Sequence, residues 1–286
     1  MNNNIGELGQ IIPLHYHFDM LGDKFRTVGF RTAIDLTVPM GGTVLELGGG
    51  TGVLSYFAAQ RAAKVYSVDI NPELVEKARQ LLSINTNGDR VEVIYGDAFE
   101  YIPPEPVDVV VCEMLHVGLL CEKQLGVIDH FKKNYSEHFP GQPLPIFVPA
   151  ATVQAVQPVM QNFEYEGYHA PIVLFQNPYS AAQPRTKELG NPVIYHTLQY
   201  DLPYDLSCSW SGTLPITADG TFNAVRILTK NILAIDPKTQ EAVEWYNQYL
   251  IVPLESEMPV KSGQTVKISF NYKAGDPLGT LDPIIG

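Results

Sequence analysis

A glycine-dense turn, two single aspartates and a pair of glutamates are the residues whose types and spacing can do chemistry in this chain. The turn reads Glu46-Leu-Gly48-Gly-Gly50-Thr-Gly52. Glycines there let the backbone reverse sharply and approach a ligand with no Cβ in the way. A dinucleotide site needs G-x-G-x-x-G, so with Gly48 and Gly50 the third glycine belongs at 53, which is Val53. Here it falls at Gly52, which points away from a dinucleotide. Asp69 closes the next apolar run, where a carboxylate can accept both hydroxyls of a ribose. Asp97 follows in Gly96-Asp97-Ala98 after a third run. Either aspartate alone is as readily a turn or capping residue. Their order behind the glycine turn, on successive strands, points to a nucleoside cofactor.

The glutamates bracket an apolar segment, Glu113-Met-Leu-His116-Val-Gly-Leu-Leu-Cys121-Glu122. Two close carboxylates raise one another's pKa unless a cation shares the site, so the pair favours a positively charged or proton-donating partner. One of them could instead serve as general base for a hydroxyl or amine. Glu122 could also be only a favourable acid at the start of the next helix. His116 is a candidate acid/base group or a packed loop histidine.

These residues need a scaffold that ends strands at a common edge. Thr43–Leu47, Lys64–Val68, Arg90–Tyr95 and Val107–Cys112 read as strands, with helical patterns over 52–63 and 72–84 between them. The continuous valines of the fourth run suit a parallel strand covered on both faces. The alternation predicts an α/β fold with a doubly wound, mostly parallel, Rossmann-like sheet. Beyond about residue 150 the helical period stops. Thr152–Val159, Thr221–Ile235, Trp245–Leu254 and Thr265–Tyr272 read as strands, with Asp219-Gly220 as a turn. The expected organisation is an N-terminal helical segment over 1–40 closing the cofactor site, a cofactor-binding domain over 41–149 and a β-rich, barrel-like substrate domain over 150–286. Residues 163–203, rich in Pro, Tyr and Asn, carry no clear period and suit a long excursion.

Composition narrows the partners. Apolar residues make up 45% of the 286, enough for a sizeable core, and the net charge is −12, from 31 acidic against 19 basic residues. No basic cluster exceeds Lys132-Lys133, which disfavours nucleic acid. The three cysteines, Cys112, Cys121 and Cys208, lack metal-ligand spacing, so no metal is expected. No basic–apolar leader and no run of roughly 18 apolar residues is present, so a cytoplasmic protein without membrane spans is expected.

The E-x-G-x-G-x-G turn resembles the first motif of class I S-adenosylmethionine-dependent methyltransferases. That resemblance implies S-adenosyl-L-methionine as cofactor, with Glu46, Gly48, Gly50, Gly52 and Asp69 at its site and Asp97-Ala98 beside the adenine amino group. The Glu113…Glu122 loop resembles the double-glutamate loop of the protein arginine methyltransferases, where the pair grips a guanidinium. His17-Phe-Asp-Met20-Leu-Gly-Asp23-Lys-Phe-Arg26-Thr27 is similar to that family's pre-sheet helix, H-E-E-M-L-x-D-x-x-R-T. By that match Arg26 clamps the methionine carboxylate, and His17 and Met20 line the site. The resemblance implies methyl transfer to a guanidinium or amine nitrogen of a protein or small molecule. An RNA methylase and a small-molecule O-methyltransferase are the alternatives on the same fold. For an exocyclic-amine methylase of nucleic acid, however, Cys112-Glu-Met-Leu115 is not the expected [N/D/S]-P-P-[Y/F/W]. The chain departs from the family in three places. Glu7 and Ile11 stand where tyrosines belong, Glu244-Trp-Tyr-Asn-Gln248 replaces T-H-W-x-Q without its histidine, and no dimerisation arm is identifiable.

Overall fold

A computed structural model of the chain describes residues 12–14 and 16–286. Glu7 and Ile11 lie outside the described residues. Two helices come first, α1 (Tyr16–Gly22) and α2 (Lys24–Thr37). A βα series follows: β1 (Thr43–Leu47), α3 (Val53–Ala59), β2 (Lys64–Asp69), α4 (Pro72–Ser83), β3 (Val91–Tyr95), β4 (Val109–Cys112), α5 (Gln124–His138) and β5 (Ile146–Val148). Its five strands form one wholly parallel sheet in the order β3-β2-β1-β4-β5. Val109 to Cys112 are all buried, as a strand packed on both faces must be. Helix α4 starts where its sequence dictates: Asn71 Oδ1 accepts from the Glu73 N–H at 3.0 Å and Pro72 takes the first turn.

The rest is β-rich. The strands are β6 (Ala151–Gln161), β7 (Glu164–Tyr165), β8 (Tyr168–His169), β9 (Leu174–Gln176), β10 (Thr186–Glu188), β11 (Val193–Gln199), β12 (Ser207–Pro215), β13 (Gly220–Ile235), β14 (Ala242–Tyr246), β15 (Tyr249–Val260), β16 (Thr265–Lys273) and β17 (Ile284–Ile285). An antiparallel sheet runs β10-β6-β13-β15-β9, with β11 also on β6 and β14 also on β13. Strands β12, β16 and β17 form a smaller sheet, and β7 and β8 a two-stranded one. The 163–203 stretch is thus mostly short strands returning to β6 and β15. Its Tyr179 stacks on Phe25 of α2 with ring centroids 3.8 Å apart.

Two expected elements are divided. The segment His17–Thr27 is two helices rather than one, because Asp23 leaves helical geometry (φ −70°, ψ 97°) and caps α2 by accepting from the Arg26 N–H at 3.0 Å. The expected strand Trp245–Leu254 is broken at Asn247-Gln248 into β14 and β15. Asn247 is drawn out of the ladder by other partners: its N–H donates to the Thr229 carbonyl at 3.1 Å and its side-chain amide to the Leu115 carbonyl at 3.0 Å. The helix expected over 52–63 also stops early, at Ala59.

The core is continuous between the halves. Phe30 and Ile34 of α2 and the valines of β4 share one apolar cluster with Tyr200, Leu233 and Trp245. A second cluster fills the β-rich half, and Val117 and Leu120 of the segment between the two glutamates are buried in it. The acidic loop is therefore seated in the β-rich core while its ends stand at the parallel sheet.

Candidate active site

The loops after β1, β2, β3 and β4 meet at the C-terminal edge of the parallel sheet, where open α/β folds take ligands. They enclose a cleft of about 380 Å³, within the range of small-molecule sites. His17, Met20, Arg26, Glu46, Gly48, Gly50, Asp69, Asp97, Ala98, Glu113 and Glu122 all line it. Gly52 does not. It turns the chain at φ +81° and faces α4, where an added Cβ would lie 3.1 Å from Leu82. Its glycine character belongs to the turn and the helix packing.

The glycine turn is shaped for close approach. Gly48 has φ +78° and Gly50 φ +54°, both in the left-handed region that disfavours a side chain. A Cβ on Gly48 would stand 2.9 Å from Met114, and one on Gly50 2.8 Å from His17. Asp69 locks the turn to the β2 end: Oδ2 accepts from the Gly50 N–H and Oδ1 from the Asn71 N–H, both at 2.8 Å. A carboxylate oxygen has a second lone pair, so both remain able to accept from a ligand hydroxyl. Asp97 is held by the Phe99 N–H at 2.9 Å.

Glu46 supports the turn from beneath. It is buried, and its Oε2 accepts from the Ser55 N–H at 3.0 Å, from the Ser55 hydroxyl and from the Ser67 hydroxyl at 3.2 Å. Burial pushes its carboxyl up to about 7, against the lowering pull of those serine bonds. His17 is pushed down by burial, and its Nε2 is buried with no hydrogen-bond partner. An orphan nitrogen in the wall and two glycines whose side chains would fill it fit a bound nucleoside.

At the other end Arg26 reaches across from α2. Its Nε donates to Glu113 Oε2 at 3.0 Å, its Nη2 is ion-paired with the same oxygen, and its Nη1 donates to the Met20 carbonyl at 3.4 Å. Among the described residues Glu122 has no such pairing. Burial, then the charge of Glu113, pushes its carboxyl up to about 8, only partly offset by Arg26. His116 does not line the cleft; it packs edge-on against Phe175 with centroids 5.6 Å apart.

Several participants escape a reading of the sequence. Met114 pads the glycine turn and Gln124, the first residue of α5, bonds to the Cys112 carbonyl and the Met114 N–H on either side of Glu113. From the β-rich half, Thr229 Oγ1 accepts from the Gly118 N–H at 2.7 Å, and Asn231 donates to Asn247 Oδ1 at 2.9 Å. Asn71, which also lines the cleft, sits in the helix start Asn71-Pro72. In the Glu244–Gln248 segment the indole N–H of Trp245 faces Asp23 Oδ2 at 3.4 Å.

Comparison with known proteins agrees with this geometry. Residues 44–133 match the family model described as a methyltransferase domain. The chain is a class I S-adenosylmethionine-dependent methyltransferase. It resembles the protein arginine methyltransferases. The arginine N(omega)-methyltransferase of Streptomyces achromogenes subsp. streptozoticus is 26% identical over 90% of this chain and 76% of its own length. Protein arginine N-methyltransferase 1 of Schizosaccharomyces pombe is 39% identical, over 39% of this chain and 34% of its own. The Trypanosoma brucei PRMT1 enzyme–prozyme heterotetrameric complex with AdoHcy shares the fold, with a TM-score of 0.75 at 18% identity over 96% of this chain and 97% of that one. The cofactor of this methyltransferase is S-adenosylmethionine, and among the described residues no helix is long and apolar enough to cross a membrane.

Proposed function

We propose that this methyltransferase transfers its methyl group to a nitrogen of a guanidinium held between Glu113 and Glu122. The observation that carries the reading is the unequal state of the two acids. Glu113 is paired with Arg26, whereas Glu122, pushed up to about 8, keeps its proton near neutrality. A second cation entering between them supplies the missing charge and lets Glu122 ionise. S-adenosylmethionine supplies an electrophilic methyl on a sulfonium. Asp69 is suited to the ribose hydroxyls, Asp97 and Ala98 to the adenine, and Arg26 to the methionine carboxylate beside His17 and Met20. Glu46 holds the turn that carries Gly48 and Gly50. Glu113 and Glu122 orient the guanidinium by charge-assisted bonds so that one nitrogen lies in line with the sulfonium. That nitrogen sheds a proton as the new N–C bond forms, and Glu122 is the group suited to receive it. In this reading the described part of 1–40 closes the cofactor cleft, 41–149 holds the cofactor and 150–286 carries the acceptor side.

The relative named for arginine aligns along most of the chain, β-rich half included, which supports L-arginine as the first acceptor to try. The test is methyl transfer from labelled S-adenosylmethionine to L-arginine, an arginine–glycine peptide, a phenol and RNA in parallel. Label on L-arginine or the peptide is expected. Label confined to the phenol or RNA overturns the guanidinium reading. Acceptor affinity should also weaken as pH falls below about 8. Binding there should release a proton, read by calorimetry in two buffers of different ionisation enthalpy.

A further inference from the structure

The peptides on either side of Glu113 are gripped by one side chain. Strand β4 ends at Cys112, so the peptides on either side of Glu113 have lost the strand partners that satisfied the residues before them. The Gln124 amide takes their place. Its Nε2 donates to the Cys112 carbonyl at 2.7 Å, and its Oε1 accepts from the Met114 N–H at 2.8 Å. A residue on a neighbouring parallel strand bonds to the peptides before and after its partner in this same way. Here a primary amide imitates a strand peptide, extending the ladder by one residue to fix Glu113. The same oxygen lies 3.4 Å from Cys112 Sγ, and the Tyr200 hydroxyl, bonded to Thr152 Oγ1 at 2.8 Å, faces Gln124 from the β-rich half. Gln124 is 1% exposed, so these bonds are made away from bulk solvent.

The position of Gln124 gives this clamp its purpose. It follows Glu122 by two residues and opens α5, so its side chain spans from the loop's exit back to its entrance. We infer that Gln124 is a positioning residue that sets the separation and direction of the two carboxylates. This rests on the double-glutamate reading above. An apolar side chain of equal length would preserve the packing while leaving the Cys112 carbonyl and Met114 N–H unpaired.

Two variants test it. Gln124→Met removes both bonds at nearly constant volume, and kcat should fall by about tenfold to a hundredfold. Affinity for S-adenosylhomocysteine should stay within about threefold, since neither bonded peptide belongs to the glycine turn. Gln124→Glu restores the pair of bonds only when protonated, its O–H donating to Cys112 and its carbonyl accepting from Met114. Facing position 124 are Cys112 and Glu113 from the strand end, Glu122 and Lys123 from the loop, and Tyr200 from the β-rich half. Dividing the variant's rate by the wild-type rate at each pH removes their shared titrations. That ratio should be high near pH 6 and drop as pH rises.

With L-arginine as substrate, wild-type kcat in the Met variant, or a pH-independent ratio in the Glu variant, overturns the proposal. A crystal structure of Gln124→Met with S-adenosylhomocysteine reads the same point without an acceptor. The Glu113 carboxylate should move from Arg26 by about 1 Å, the displacement at which in-line transfer suffers strongly; an unmoved carboxylate overturns the proposal. Glu113→Gln and Glu122→Gln separate the two ideas. Full activity in both removes the double-glutamate reading while the crystallographic outcome still judges the clamp. Loss in both beside an active Gln124→Met removes only the clamp.

Discussion

The cofactor turn and the acidic loop stand on one edge of one sheet, yet they are held in opposite ways. The turn is fixed by its near neighbours: Gly48 and Gly49 both donate to the Val68 carbonyl, and Asp69 returns the bond to Gly50. Its hydrogen-bond partners lie on β1, β2 and α3. The loop from Glu113 to Glu122 is held from far along the chain, by Thr229 at Gly118, by Asn247 at Leu115, and by the β-rich core around Val117 and Leu120. A cofactor with constant features suits a wall built locally. In the proposed reading the acidic loop is the acceptor side, and it is governed by residues outside the cofactor fold, so specificity can change while the cofactor wall stays intact.

The comparison breaks most visibly at the glutamates. Glu113→Gln and Glu122→Gln should each cut turnover by about 10²–10⁴, with cofactor affinity within about twofold. The double variant should lose far less than the product of the two, because the acids act as a unit. Equal activity in either single variant, measured with any acceptor that is turned over, would reduce the loop to one working acid.

Next in size is the opposite experiment on the cofactor wall. Asp69→Ala should weaken S-adenosylhomocysteine about thirtyfold to a hundredfold, the worth of two charge-assisted bonds at roughly 2–3 kcal/mol. Calorimetry checks it, and unchanged affinity takes Asp69 out of the site.

Asn247→Leu sharpens the contrast. It strands the buried Leu115 carbonyl and an amide hydrogen of Asn231, which should lower unfolding stability by about 1–3 kcal/mol. Because the anchor serves the acidic loop, kcat should fall while S-adenosylhomocysteine binds as in the wild type. A weakened cofactor with normal kcat would mean that the two regions are not separately held.

The smallest effect concerns pH. Glu46 and Glu122 have folded values of about 7 and about 8, above the ordinary 4.5. Between 4.5 and those values the folded chain binds more protons than the unfolded one. Their contribution to stability is complete below 4.5 and is lost as pH rises through about 7 to 8. Thermal midpoints should therefore decline from pH 5 to 8, and Glu122→Gln should flatten the upper part of that slope.

The sequence by itself determined the cofactor half. Its signals are short-range: glycines at set intervals, an acid at each strand end, and valine runs that only a doubly covered strand explains. The Rossmann-like sheet and a nucleoside site lined by Glu46, Gly48, Gly50, Asp69 and Asp97 follow from that pattern, whereas S-adenosylmethionine and the lining residues His17, Met20 and Arg26 came from the family resemblance. Of the expected lining residues Gly52 is the exception, because turn geometry and ligand approach make the same demand on a glycine. Tertiary structure alone decided how the acidic loop is held. Gln124, Thr229 and Asn247 are ordinary polar residues with no spacing relative to Glu113 or Glu122, and hydrogen-bond partners 10, 12 or more than 100 positions apart leave no periodic trace. The break at Asn247-Gln248 was hidden for the same reason. A strand's pattern records which face is buried, and not which backbone group a distant loop will claim.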